Sequence, residues 1–277
     1  MNIEKYNRPA FFYGLSLLIP WTLWLAVAYL SHLENQNMLT QMTESGLGIL
    51  GLISPLLVAA YLFVQNKDLM KDMKARFFSV GKIPAKYMFI TLFMIPLSII
   101  AAQLLSVLAG HGLEQFFISG RPTFTSMLLP PWFLLIFAPI VEEMAWHSYG
   151  TDTLRRRFNL FITSMIFAVY WVIWHLPLAL VKGYYQSNVV AEGPLHSLNF
   201  ALSLFVFVIL MNWLYYKTNR NITVAVVFHL TANVSNEIFA THPDSKIIQT
   251  FLLLLICGYV LATERKFFFS KSIPDDP

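Results

Sequence analysis

Eight stretches of this chain are apolar over about the length a helix needs to cross a lipid bilayer, and no other feature restricts its folding so severely. They run roughly from 10 to 30, 46 to 65, 87 to 110, 126 to 149, 160 to 182, 197 to 216, 221 to 239 and 247 to 263. At 1.5 Å of rise per residue, about 20 helical residues cover a hydrocarbon core of about 30 Å. Inside that core every backbone N–H and C=O needs a partner within the protein, which leaves helices or a closed barrel. The alternating apolar and polar pattern of barrel strands is absent. The expected fold is therefore an all-α integral membrane protein with about eight transmembrane helices. Composition agrees, since 12% of the residues are charged and 57% hydrophobic, where a soluble domain carries about 25% charge. No internal repeat or Gly/Ser-rich linker divides the chain, so residues 1–277 read as one polytopic domain.

Charge placement gives the orientation. Sixteen of the 19 Lys and Arg residues fall at the termini or in the connections that share their side; three, Arg121, Lys182 and Lys246, fall in the others. Positive residues collect on the cytoplasmic side, so both termini are expected there. No basic tract interleaved with aromatics points to nucleic acid, which is excluded as a partner. The segment 66–86 sets Met70, Met73, Phe77 and Phe78 among lysines, and reads equally as an interfacial helix on anionic headgroups or as a solvated loop. The single cysteine, Cys257, lies in an apolar run and reads as a core thiol. The first apolar run exceeds the 7 to 15 residues of a signal-peptide core and is read as a retained first helix.

Few ionisable groups lie at membrane depth: Glu142, Glu143 and His147 in the fourth run, His175 in the fifth and His229 in the seventh. His32, His111, His196 and His242 fall in or beside the outer connections. A charged carboxylate near a helix centre costs about 2.5 to 3.5 kcal/mol on insertion scales, so two of them need compensating partners. Neighbouring positions on a helix point about 100° apart, whereas residues four apart share a face. One glutamate can thus face the chemistry while Glu143 pairs with His147, and His229 and Asn233 can aim two donors at one oxygen. Pro177, just after His175, is expected to bend the fifth helix and free a carbonyl. Counted from the inner helix ends, Glu142 and His229 lie at similar depths of roughly 10 and 12 Å, but His175 lies at roughly 22 Å. Convergence then requires the "LRRRFN" stretch to lengthen the fifth helix below the membrane, or that helix to tilt.

The ordered motifs "EEMAWH", "WVIWH" and "HLTAN" resemble those of the CAAX prenyl protease type 2 family, the wider CPBP or Abi membrane proteases. The core of the resemblance covers residues 126–240, and the eight-span layout extends it to most of the chain. It implies that Glu142 and His175 activate a water against a peptide carbonyl, with His229 and Asn233 stabilising the oxyanion and Glu143 and His147 in support. The implied substrate is a prenylated CAAX protein, its lipid in the bilayer, from which the last three residues are cut. Two positions depart from the family pattern, which has arginine at His147 and phenylalanine at Trp171. Were zinc the cofactor, Glu142, His175 and His229 would be its ligands; with no HExxH present, a metal-free glutamate mechanism is preferred. A proton-coupled transporter and a noncatalytic scaffold or immunity-type protein are the competing classes, the first weakened by the missing repeat. Short loops favour a prokaryotic cell membrane over the endoplasmic reticulum.

Overall fold

The computed structural model describes residues 3–77, 79, 81, 83–119, 123 and 126–271, which leaves Phe78, Lys82 and Arg121 of the sequence reading outside the described residues. In chain order the helices are α1 (Pro9–Ser31), α2 (Met38–Gln65), α3 (Lys67–Phe77), α4 (Ala85–Leu108), α5 (Pro131–Ala145), α6 (Thr151–Arg155) and α7 (Leu160–His175). They continue with α8 (Tyr185–Ala191), α9 (Pro194–Lys217), α10 (Ile222–Ile238), α11 (Pro243–Thr263) and α12 (Arg265–Phe269). Among the described residues the one extended pairing is an isolated bridge between Ile118 and Phe239. The protein is an all-α integral membrane protein. Among the described residues, six segments are long and apolar enough to cross a bilayer: α1, α2, α4, α9, α11, and α7 with the 3-10 turn that follows it to Leu180. Exposed side chains such as Leu18, Tyr29, Leu57, Leu104 and Phe251 form an apolar exterior that water would not tolerate and lipid does.

At the other two apolar runs the helices are shorter or broken, and neither is among the six. α5 has 15 residues and passes through a π-helical turn, Trp146–Gly150, into α6, while α10 has 17 residues. These are the two helices that carry the glutamates and His229. A π turn widens the helix by one residue and so re-aims the side chains on either side of it.

Local chemistry sets the helix ends. Asn37, Asn159 and Asn221 cap α2, α7 and α10, each accepting the amide three residues on at 2.8 to 3.2 Å. Proline opens α1, α5, α9 and α11, where a missing N–H costs nothing. Inside α2, Pro55 cannot donate to Gly51, and the Ser54 hydroxyl takes that carbonyl at 2.8 Å. Gly51 itself is dictated by packing. A Cβ there would lie 2.3 Å from Trp24 Nε1, the indole that joins α1 to α2 through Gly48 O at 3.1 Å.

Two expectations about α7 are corrected. The "LRRRFN" stretch does not lengthen it: Leu154 and Arg155 end α6, the chain turns, and Asn159 caps a helix that starts at Leu160. Pro177 does not bend the helix from within either. α7 stops at His175, and Pro177 sits in the 3-10 turn Leu176–Leu180. The Ile173 carbonyl that Pro177 cannot serve accepts from the Trp21 indole of α1 at 3.2 Å.

α10 packs on α4 and α5, α7 packs on α9, and α11 closes against α4 and α9, so the motif-bearing helices face one interior space. At the end of the bundle near both termini, α3 is a helix, not a solvated loop, with Met70, Met73 and Phe77 packed against the core. Cys257 is a buried free thiol of α11.

Candidate active site

Glu142 and Glu143 are both buried, at 7% and 0% exposure, and they face different partners. Glu142 Oε2 accepts from two indoles, Trp171 Nε1 at 3.2 Å and Trp146 Nε1 at 3.4 Å, which leaves Oε1 for the cavity that Glu142 lines. Glu143 turns away and uses both oxygens: Oε2 meets His147 Nδ1, and Oε1 meets His229 Nδ1 at 2.7 Å. The pairing of Glu143 with His147 follows from their spacing of four. His229, expected beside Asn233 only, is also tied to Glu143, and this contact across α5 and α10 has no signature in sequence spacing.

The histidines are held by groups that fix which nitrogen is left over. His175 Nδ1 lies 2.7 Å from the Trp171 carbonyl, which can only accept, so Nδ1 carries the proton and Nε2 presents a lone pair. With His229 Nδ1 on Glu143, its Nε2 is the nitrogen that remains for the cavity, and the ring stands edge-on to Trp171 at 5.3 Å. His147 is wholly buried; its Nε2 lies 3.0 Å from Asn212 Oδ1, and Asn212 Nδ2 donates to Ser164 Oγ at 2.9 Å. Asn212 of α9 therefore closes the far side of the imidazole that supports Glu143.

Beneath the site the π turn is clamped from outside the helix. Arg76 of α3, 5% exposed, donates to the carbonyls of His147 at 3.1 Å and Ser148 at 2.7 Å. The same guanidinium reaches Tyr215 OH at 2.5 Å, Tyr6 OH at 2.7 Å and Asp152 Oδ2 at 3.1 Å. Tyr215 also donates to the His147 carbonyl at 2.7 Å. Asp152 pairs in addition with Arg220 at 2.5 Å, and Asp72 with Arg220 at 3.0 Å, so three basic-side segments meet in one buried network. Burial pushes the Asp72 carboxyl up, but Arg220 and Arg76 outweigh it and hold the group below its ordinary range. A census of ionisable residues within the spans passes over Asn212, and a charge count takes Arg76, Asp152 and Arg220 for loop charges.

Glu142, His175, His229 and Asn233 line one cavity of about 1060 Å³. Its wall continues away from the glutamates to Glu34, Gln36, Glu192 and His196, at the end of the bundle opposite the termini. A carboxylate with a free oxygen, an imidazole lone pair and two donor groups on α10 can together activate a water and stabilise a developing oxyanion. Glu142, His175 and His229 are the residues that would hold a zinc ion in this cavity. Among the described residues, the trio of ligand-type side chains whose atoms all lie within 4.8 Å of one another is elsewhere, at His111, His242 and Asp244.

A family model described as type II CAAX prenyl endopeptidase Rce1-like matches residues 124–235, the stretch that holds Glu142, Glu143, His147, His175, His229 and Asn233. Across nearly its full length the chain is similar to a CAAX prenyl protease 2 of Methanococcus maripaludis, with 32% identity over 273 residues, 96% of this chain and 97% of the relative. The chain belongs to the type II CAAX prenyl endopeptidase family. It is thus a protease of CAAX-endopeptidase type and a multi-pass membrane protein. Both positions at which it departs from the family pattern of the motifs touch the glutamates directly: Trp171 adds an indole donor to Glu142, and His147 takes the oxygen of Glu143 that His229 leaves.

Proposed function

We propose that this endopeptidase removes the carboxyl-terminal tripeptide of a prenylated CAAX protein by glutamate-activated water attack, without a catalytic metal. The observation that carries the reading is the convergence of Glu142, His175, His229 and Asn233 on one cavity. Water sits between Glu142 Oε1 and the His175 Nε2 lone pair, and Glu142 takes its proton as the oxygen attacks the scissile carbonyl carbon. His229, an imidazolium paired through Nδ1 with the Glu143 carboxylate, and Asn233 donate to the resulting oxyanion from Nε2 and Nδ2, a donor pair of the kind whose loss costs about 10²- to 10³-fold in kcat. As the tetrahedral species collapses, the C–N bond breaks and Glu142 returns the proton to the leaving amine. Glu143 and His147 hold His229 in place and touch no reacting atom.

The test uses purified protein with matched prenylated and unprenylated CAAX peptides, and mass spectrometry of the products. Loss of a tripeptide from the prenylated peptide alone, abolished by Glu142→Gln and by His175→Ala, is the expected result. Cleavage retained in both variants overturns the assignment of roles, and equal cleavage of both peptides overturns the lipid requirement. Activity that is lost to a chelator and restored by one equivalent of zinc, with Glu142, His175 and His229 each needed to hold it, refutes the metal-free step.

A prokaryotic cell membrane is the favoured location, supported by the archaeal source of the relative. Orientation has two opposed guides. The charge count puts the termini in the cytoplasm, whereas a peptide tail arriving from the cytoplasm needs the cavity mouth there, at the other end. We give the substrate the greater weight; Arg76, Arg155 and Arg220 are buried in protein contacts, which lowers the count at the termini's end from 16 to 13 against three but does not reverse it.

A further inference from the structure

Four side chains that the protease reading leaves unused gather at the end of the bundle away from the termini. His111 follows α4, His196 lies in the first turn of α9, His242 precedes α11, and Asp244 stands in its first turn. They come from three separate parts of the chain, yet they converge on one carboxylate. Asp244 Oδ2 lies 3.4 Å from His111 Nε2 and 3.7 Å from His242 Nδ1, while Oδ1 lies 3.1 Å from His196 Nε2. The His111 and His242 rings lie face against face, their centroids 4.0 Å apart and their planes 35° from parallel.

We propose that His111, His242 and Asp244, with His196 as the fourth ligand, bind a divalent first-row metal ion, Zn²⁺ above others. Zinc holds nitrogen and oxygen ligands at about 2.0 to 2.2 Å in a tetrahedron, so ligand atoms stand roughly 3.4 Å apart along its edges. The ligand atoms of His111, His242 and Asp244 all lie within 4.8 Å of one another, with Asp244 Oδ2 at 3.4 and 3.7 Å from the two imidazole nitrogens, near that edge length; His196 Nε2, 3.1 Å from the other oxygen, stands outside this trio and closes on the ion by turning its side chain. His196 supplies an independent argument. Its Nδ1 faces the Glu192 carbonyl at 3.1 Å and so carries a proton, and the lone pair of Nε2 then points at the Asp244 carboxylate. A lone pair and a carboxylate oxygen at that distance are reconciled either by a proton or by a metal ion. An imidazole that gives one N–H to a backbone carbonyl and presents the other nitrogen is also the usual arrangement of a metal-binding histidine. His242 Nδ1 now accepts from the Asp244 amide at 3.2 Å, so metal binding trades one cap hydrogen bond for a coordinate bond. Three imidazoles and one carboxylate suit zinc better than magnesium or calcium, which prefer oxygen.

The position gives the ion a role. His196, Pro243 and Lys246 also line the cavity that holds Glu142, so a metal here staples the ends of α4, α9 and α11 at its mouth. It acts on the geometry of that rim and is remote from the scissile bond.

The experiment uses the full-length chain in detergent, with any polyhistidine tag removed and metal stripped by chelator. Zn²⁺ is titrated calorimetrically, and Co²⁺ is followed by its visible absorption as a report on tetrahedral coordination. One equivalent is expected to bind, with affinity lowered at least about 10-fold in His111→Ala and in Asp244→Ala. In Glu142→Gln/His175→Ala it stays within about 2-fold of wild type. Zinc also raises the melting temperature of wild type and of Glu142→Gln/His175→Ala, but not of Asp244→Ala. Gel filtration and metal-free melting identify any variant that fails to fold, and His242→Ala replaces it in the comparison. The proposal is overturned if zinc binds His111→Ala and Asp244→Ala as tightly as wild type, if binding is lost in Glu142→Gln/His175→Ala instead, or if none is detected up to about 100 μM.

Discussion

Arg76→Met removes every donor from the guanidinium that grips the π turn while keeping much of the side-chain volume. Five hydrogen bonds disappear, two to the His147 and Ser148 carbonyls, two to the Tyr6 and Tyr215 hydroxyls and one to Asp152, and the ion pair with Asp72 at 2.9 Å goes with them. Breaking a buried ion pair from one side costs about 3 to 5 kcal/mol, mostly because the remaining charge is stranded. Neither Asp152 nor Asp72 is wholly stranded, since Arg220 still holds them at 2.5 and 3.0 Å. The loss should therefore lie near the lower end, about 3 kcal/mol. For a chain of this size that corresponds to a fall in melting temperature of about 6 to 12 °C. Arg76→Lys keeps the charge, but a point ammonium cannot fork across two carbonyls, so it should recover less than half of the loss.

Cys257 makes the measurement convenient. It is the single cysteine and it is buried, so a thiol-reactive fluorogenic dye reports unfolding without further labelling. Arg156→Met serves as the control, because Arg156 pairs with the exposed Glu4 at 2.9 Å and such surface pairs contribute about 0 to 1 kcal/mol. Below the melting range, Arg76→Met should also lower peptidase kcat, since the clamped turn begins three residues after Glu143. If Arg76→Met melts within about 2 °C of wild type, or no further below it than Arg156→Met does, the clamp is not what holds the turn.

Further outcomes follow from the same contacts. Trp171→Phe, which restores the family pattern, removes the shorter indole bond to Glu142 Oε2 and should lower kcat/KM by about tenfold, as loss of a bond to a charged group costs about 1.5 kcal/mol or more; an unchanged pH–rate profile and rate would show that Trp146 alone suffices. Asn212→Leu leaves His147 Nε2 and the Ser164 hydroxyl without their buried partner, and should cost about 1 to 3 kcal/mol in thermal unfolding together with a fall in kcat at unchanged KM. Asp72 is depressed in the folded state, so its stabilising effect is complete above its unfolded value of about 3.9 and is lost as pH falls through the lower folded value. The melting-temperature gap between wild type and Asp72→Asn should thus be constant above about pH 5 and close below about pH 4, and a gap that closes near neutrality contradicts this. Glu34→Cys in a Cys257→Ser background should react with an impermeant maleimide only after the membrane is opened; labelling in intact cells would place the cavity mouth outside and the termini in the cytoplasm.

What the sequence made legible were the features that lipid enforces. Apolar runs of bilayer length gave helices at all eight positions, and the rarity of charge at depth singled out Glu142, Glu143, His147, His175 and His229, because burying such groups without purpose is costly. Helical spacing separated the directions of the two glutamates and paired Glu143 with His147. Spacing within one helix says nothing, however, about contacts between helices, and there the reading fell short. His229 reaches Glu143 because α10 lies on α5, and Trp171 reaches Glu142 because α7 faces the same cavity. The apparent depth mismatch of His175 arose from placing every span on one straight ruler. α7 begins at Leu160 and ends at His175, and it is α5 that departs from a regular helix, through a π turn that no propensity announces. That turn carries His147, whose imidazole meets Glu143. The imidazole is short, so it meets Glu143 on one side only because Asn212 on α9 closes the other, and the charged fork of this region comes instead from Arg76 on α3, 71 positions before the carbonyl it holds. The surroundings of one motif position are thus set by three helices far apart in sequence, which spacing within a motif cannot show.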